Sequence, residues 1–250
     1  LVYYLSALQS QSEDIYRNPN IISFKGAIVR MDTTKRNIYL CFTAHDFSDG
    51  FDTITRTLKS HNLKASFFLT GDFCRNPNNK EIINRLRTDG NYIGPHSDKH
   101  LLYCSWEKRD SLLVSKNEFL SDLKNNYNEL RKSGISKKDA QVFLPPYEWY
   151  NDSIAVWAMK TDIKMVDNSN GTIINQDWTF PEKGKPYYSS DSLMKNFLSY
   201  EKLKGMNGYI LLIHPGTDPR RKDKFYLHLD SILHYLENKK YSFHTFSEIN

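Results

Sequence analysis

His96 and His100 stand four positions apart in the stretch His96-Ser97-Asp98-Lys99-His100. That separation brings two side chains to one side of a helical turn and gives a divalent cation its first two ligands. Such a pair is common as one exposed ring and one packed ring, so its surroundings decide its meaning. Upstream, Phe42 to Gly50 carries His45, Asp46 and Asp49 just after an apolar run, and far downstream the run Tyr209 to Ile213 ends in His214. Imidazoles, a carboxylate and a separate strand-end histidine are the parts of a metal-assisted hydrolytic site with its own proton donor.

These residues need elements that bring them together. Ile38 to Phe42, Ala65 to Leu69, Val142 to Leu144, Lys164 to Val166, Tyr209 to Ile213 and Tyr241 to His244 read as short buried strands. Between them, Phe51 to His61, Glu81 to Asp89, Ser115 to Ser133, Ile154 to Lys160, Asp191 to Lys204 and Phe225 to Lys239 carry apolar residues at helical spacing,. Strand-then-helix units of this kind imply a parallel sheet with one handed crossover. At 250 residues the chain suits one barrel-sized α/β domain,. Loops after the strands of such a barrel share one rim, and there Thr43 to Gly50, Gly71 to Phe73, Pro95 to His100, Pro145 to Trp149 and His214 to Asp218 meet. Ahead of this pattern, residues 1–25 form a lead-in. In it Leu8 to Tyr16 reads as a short helix, while Ile22 to Met31, running past its end, reads as an extended pair or edge ribbon.

Composition narrows the partners. A net charge of +5 from 34 basic and 29 acidic residues is spread along the chain with no arginine-rich tract, which argues against nucleic acid,. Aromatic residues make up 14% of the chain, enough to supply both a core and stacking surfaces for sugar rings,. No apolar run approaches bilayer length, and no signal peptide opens the chain. Leu1 in place of an initiator methionine reads as an excised or processed piece, with room for a further domain. Three cysteines, Cys41, Cys74 and Cys104, make no disulfide framework and no zinc knuckle, and leave one bridge, Cys74 to Cys104, open,.

Ile38 to Phe42, Leu63 to Gly71, Asp89 to His100, Phe143-Leu144-Pro145-Pro146-Tyr147 and Leu212-Ile213-His214 occur in this order, and together they resemble the polysaccharide deacetylase family, carbohydrate esterase family four. The resemblance runs from about Gly26 to the C-terminus. It implies a distorted (β/α) barrel of seven or eight strands over residues 26–250. It also implies one divalent metal ion, zinc before cobalt, nickel or manganese, and a substrate that is an acetylated polysaccharide or oligosaccharide. Carried over residue by residue, His96 and His100 are metal ligands, the Tyr147 N–H is the oxyanion donor, and His214 protonates the leaving amine or alkoxide. Asp177-Trp178 resembles the motif in which an acid tunes that histidine and a tryptophan lines the pocket.

Two departures stand out. The family's first motif has adjacent aspartates, one a base and one a metal ligand, where this chain has Thr43 and Ala44. Its third motif begins with an arginine that braces the aspartate base, where this chain has Leu144. Both halves of one interaction are missing together, which reads as a coordinated change. Asp46 is the replacement ligand and His45 a replacement base. Asp49 rivals both, its ordinary alternative being the N-cap of the next helix. Glu148, directly after the oxyanion tyrosine, is a second candidate base, against a salt bridge to a rim lysine. Trp149, Tyr150 and Trp106 stack on sugar or cover the barrel end. Arg220-Arg221-Lys222 reads as a solvated charged loop.

The reading is a metal-dependent hydrolase that removes acetyl groups by metal-activated water, secreted, periplasmic or at the cell surface, where polysaccharides lie. An O-acetyl esterase of the xylan type and a non-catalytic carbohydrate-binding relative are the alternatives.

Overall fold

The computed structural model describes residues 15–185 and 187–249. A two-residue turn, Lys25 and Gly26, both at positive φ, joins antiparallel strands β1 (Ile22–Phe24) and β2 (Ala27–Arg30),. The expected extended pair is therefore a hairpin. Most of the short helix expected at Leu8 to Tyr16 lies outside the described residues.

The centre is β3 (Asn37–Ala44), buried on both faces as an interior parallel strand must be,. One side of β3 pairs with β8 (Tyr209–Ile213). On the other side β9 (Ser242–His244) pairs with its first three residues and β4 (Ser66–Leu69) with its last four. β4 pairs in turn with β5 (Tyr92–Pro95), and every pairing in this sheet is parallel. A separate parallel pair, β6 (Val142–Phe143) and β7 (Lys164–Met165), completes the circuit through isolated bonds. The Tyr92 hydroxyl accepts from the Val142 N–H at 2.8 Å, Leu144 N–H donates to Pro95 O at 3.4 Å, and Ser169 N–H donates to Ile210 O at 2.9 Å. The fold is thus an α/β barrel distorted by interrupted pairing, as expected from the alternating pattern.

Outside the strands lie α1 (Phe51–Ser60), α2 (Gly71–Arg75), α3 (Lys80–Thr88), α4 (Lys116–Lys132), α5 (Asp152–Met159), α6 (Ser190–Lys204) and α7 (Leu229–Asn238). Ser115 and Glu118 form a reciprocal capping box at the start of α4,. Phe225 to His228, expected as the first turn of the last helix, is instead a 3₁₀ turn leading into α7. α2 and β5 were not anticipated. α2 is short, and β5 is masked by its Gly94-Pro95 ending.

Alternation along the strands sorts the core. Ile38, Leu40, Phe42 and Ala44 face the helices, whereas Tyr39, Cys41, Phe68, Tyr92, Val142, Leu144, Ile210 and Leu212 fill the barrel interior,. The three cysteines are free thiols. No helix among the described residues is long and apolar enough to cross a membrane.

Candidate active site

Three interior series continue one step past their strands and that of β3 runs to its last inward residue, and this builds the site. Thr43 follows Tyr39 and Cys41; His96 follows Tyr92 and Gly94; Leu144 follows Val142; His214 follows Ile210 and Leu212,. Thr43, His96 and His214 arrive at the base of a cleft of about 990 Å³ whose walls include His45, Asp46, His100, Trp106, Tyr147 and Trp178.

His96 is buried, and its Nδ1 lies 2.6 Å from the Leu144 carbonyl oxygen. A carbonyl only accepts, so Nδ1 carries the proton and the Nε2 lone pair is left for another partner. Its backbone N–H donates to Asn126 Oδ1 at 2.9 Å. The helical turn expected from the four-residue spacing is absent. Residues 96–100 are a strand-end loop with Ser97 at φ 75° and His100 at φ 54°, because β5 runs on to Pro95 and the chain must reverse immediately after it. The rings still meet, with His96 and His100 centroids 5.1 Å apart. Burial, with smaller repulsion from neighbouring histidines, takes His100 down to about 2; burial also takes His96 down to about 3 against the pull of the Leu144 carbonyl. Both are neutral imidazoles, the form a metal requires.

His45 stacks on His100 at 4.6 Å with an interplanar angle of 10°, and its Nδ1 lies 3.1 Å from the Thr70 hydroxyl. Asp46 Oδ1 is 3.4 Å from His45 Nε2, and its side chain is 66% exposed. The donor types of His96, His100 and Asp46 suit a divalent cation, and two of the three are held in place. As positioned, the three donor atoms are not all within 4.8 Å of one another, so the set is not assembled in this conformation. Asp49 is committed elsewhere. Its carboxylate accepts from Thr217 N–H at 3.0 Å and Tyr226 hydroxyl at 2.8 Å and pairs with Lys224 at 3.0 Å, which ties two rim loops together. It is not the N-cap of α1 either; Gly50 holds that position without a side-chain bond.

Across the cleft, His214 Nδ1 lies 2.6 Å from Asp177 Oδ1, and the second oxygen of that carboxylate accepts the His214 backbone N–H at 2.9 Å. Burial alone would lower His214, but the Asp177 charge and hydrogen bond, with Glu148 adding to them, leave it above the ordinary histidine value. Glu148 makes no ion pair among the described residues, so the expected salt bridge to a rim lysine is absent. Burial raises its carboxyl, Asp177 adds to the rise, and His214 and Asn175 offset part of it. Asp167 is buried too and pushed well up, by burial first and then by Glu148. Tyr147 and Glu148 both hold positive φ, 61° and 54°, a conformation uncommon for such side chains that re-aims them after Pro145-Pro146,. The bonds of this turn run from Glu148 N–H to Pro145 O and from Trp149 N–H to Pro146 O; neither uses the Tyr147 N–H.

Aromatic rings form one lip. Trp106 stands edge-on to Tyr147 at 5.6 Å and tilted to Trp149 at 5.4 Å, while Tyr147 meets His100 at 4.3 Å. Trp149 is anchored by its indole N–H to Ser105 O at 3.1 Å and by Arg109 4.1 Å over its ring. Tyr150 is fully buried and so covers the barrel end. Trp178 lines the opposite side beneath Lys183 at 4.0 Å. Arg221, expected in a solvated loop, is completely buried. Its guanidinium donates to the carbonyls of Thr179 at 2.7 Å, Tyr188 at 3.1 Å and Asp223 at 3.1 Å and to the Ser190 hydroxyl at 3.0 Å, which satisfies an otherwise prohibitive charge,. Arg109, Asn175 and Asp167 escaped sequence reasoning. Arg109 donates to Tyr150 O at 2.6 Å and to Glu148 O at 3.4 Å, positioning the turn from a distant loop.

At the two departures, Thr43 is buried and its hydroxyl has no hydrogen-bond partner, and the Leu144 side chain packs in the barrel interior. A family model for polysaccharide deacetylases matches residues 30–166, more than half of the chain.

The chain belongs to the polysaccharide deacetylase family.

Among members of that family, a peptidoglycan-N-acetylglucosamine deacetylase of Bacillus cereus is 28% identical over 180 residues, 68% of this chain and 55% of that protein. The chain spans between 50% and 74% of the length of the curated relatives it matches. Of solved structures, the Bacillus anthracis protein BA3943, described as a pseudoenzyme of carbohydrate esterase family four, superposes with a TM-score of 0.70 at 20% identity, covering 91% of this chain and 69% of that one. A mutant of it is described as having restored enzymatic activity. Bacillus subtilis PdaA, a family 4 carbohydrate esterase, gives a TM-score of 0.67 at 20% identity over 97% and 88% of the two chains. These structural likenesses establish the polysaccharide deacetylase fold, and the divergent first and third motifs mark this chain as an outlying member.

Proposed function

We propose that this chain is a metal-dependent hydrolase that removes acetyl groups from an N- or O-acetylated polysaccharide outside the cytoplasm. The observation that carries the reading is the His214–Asp177 pair set at one cleft with two neutral histidines, His96 buried and His100 partly so. Packing a charged dyad and a raised carboxyl around a groove is costly to folding and is characteristic of acid–base sites.

His96, His100 and Asp46 would hold the cation, zinc first, with cobalt, nickel and manganese accepting the same donors. When bound, a divalent ion polarises the acyl carbonyl and acidifies a water molecule. Glu148 takes up the proton of the attacking water, because its raised carboxyl is suited to exchange protons nearer neutrality,. His45, on the near wall, is the second candidate for that role. His214, kept protonated by Asp177, donates from Nε2 to the departing amine or alkoxide. The Tyr147 N–H, which the bonds of its own turn leave unused, would receive the developing oxyanion,, while Tyr147, Trp149 and Trp178 would offer ring faces and edges to the sugars.

A second reading, a non-catalytic carbohydrate-binding protein, is supported by Thr43 and Ala44 in place of aspartates and by the outward Asp46. An acetate-release screen on acetylated chitin oligomers, peptidoglycan and xylan, with and without added zinc or cobalt, separates the two. Metal-dependent acetate release from any of them supports the hydrolase and shows whether an amide or an ester is cleaved. Polymer binding with no acetate released under any condition replaces it by the second reading.

A further inference from the structure

We infer that His61, Asp230 and His234 form a second divalent-metal site on the outer helical layer, with Glu237 orienting His61. None of these four residues lines the cleft. His61 follows α1 as its C-cap, and its side chain is only 5% exposed; Asp230 and His234 lie one turn apart on the outer face of α7.

One donor atom from each of the three residues falls within 4.8 Å of the others. His61 Nε2 is 3.0 Å from Asp230 Oδ1, and His234 Nε2 is 3.8 Å from Asp230 Oδ2. Two donors bound to one cation at about 2.1 Å and at right angles lie roughly 3 Å apart, so the first pair already has the spacing of adjacent ligands. His61 Nδ1 lies 3.0 Å from Glu237 Oε2. That is the carboxylate–histidine arrangement that fixes the ring proton on Nδ1 and leaves Nε2 for a metal. The competing account is an imidazolium held between two carboxylates: burial alone would lower His61, but its bonds to Asp230 and Glu237, both at 3.0 Å, leave it above the ordinary histidine value, so a bound cation has to displace the Nε2 proton. The His234 ring sits 4.5 Å from that of His61 in an edge contact and shares both carboxylates, at 3.8 Å from Asp230 and 3.9 Å from Glu237, so one divalent ion between the rings supplies the positive charge that both acids face. Two imidazoles and a carboxylate with open positions for water suit zinc and its neighbours in the transition series. The bound ion would tie the end of α1 to α7.

The test uses the full chain, stripped with chelator and equilibrated with Zn²⁺, in wild type, His234→Ala and Asp230→Asn. Both altered side chains are more than half exposed, so folding is preserved. The expected result is one zinc fewer per chain in each variant than in wild type. His61 ring resonances should shift on zinc addition in wild type and stay still in His234→Ala. Equal zinc content in wild type and both variants, or His61 resonances that ignore zinc in wild type, would overturn the site. The cleft histidines are untouched by these variants, so failure here is separate from failure of the hydrolase reading.

Discussion

Asp177 grips His214 twice, one carboxylate oxygen on the ring Nδ1 at 2.6 Å and the other on the backbone N–H at 2.9 Å. The double hold fixes both the ring's orientation and its tautomer. Because the folded value of His214 is raised, the pair's contribution to stability is complete below the unfolded value of about 6.5 and is lost as pH climbs through the folded one,. Asp177→Asn should lower acetate release by about 10²-fold or more and move the alkaline limb of its pH profile downward. The stability difference between wild type and variant should narrow as pH rises. A His214 ring titration, followed by NMR, that is identical in both proteins would remove Asp177 from this role.

Glu148→Gln keeps shape and burial while removing the proton acceptor. Turnover should fall by about 10²- to 10⁴-fold with bound metal per chain unchanged. Full acetate release from this variant transfers the base role to His45.

Thr43 offers a stability experiment at the point of divergence. Its buried hydroxyl lacks any partner, and such a group costs about 1–3 kcal/mol. Thr43→Val should therefore stabilise the protein by about 1 kcal/mol in urea denaturation while leaving acetate release as it was. A loss of stability would mean that the hydroxyl has a partner in solution.

Gly216 lies under the loop that carries His45 and Asp46. A Cβ added there would sit 2.2 Å from the backbone carbonyl of Phe47 and 2.5 Å from the Ser48 nitrogen. Backbone cannot rotate away as a side-chain tip does, so Gly216→Ala should destabilise by about 1–3 kcal/mol and weaken metal retention in the cleft. Wild-type thermal stability together with wild-type metal content would show that the loop is not pinned there.

Much of this was legible from sequence, for identifiable reasons. Strands such as Tyr209 to Ile213 are continuously apolar and bounded by glycine and proline, so period and punctuation agreed. His214 with Asp177 and His96 with His100 were anticipated through motif order, and the structure places each pair together. Local reasoning failed where tertiary partners decide conformation. His96 to His100 copies the spacing of a helical turn, but β5 runs right up to it, ending at Pro95, and two left-handed residues replace the turn. Arg221 looks like a surface charge until two distant carbonyls, a local one and a serine surround it. Arg109 and Asn175 gave no local signal, because each acts on Glu148 across the fold rather than along the chain.

Leu144 links two roles that are usually separate. Its side chain packs among the interior residues while its carbonyl, stopped by Pro145-Pro146, fixes which nitrogen of His96 bears hydrogen. Repacking deep under the rim would therefore be legible at the proposed metal site: a void opened at Val142, beneath the cleft, would loosen that carbonyl, scramble the imidazole's tautomer and register as weakened metal affinity before any change in the sugar-facing wall.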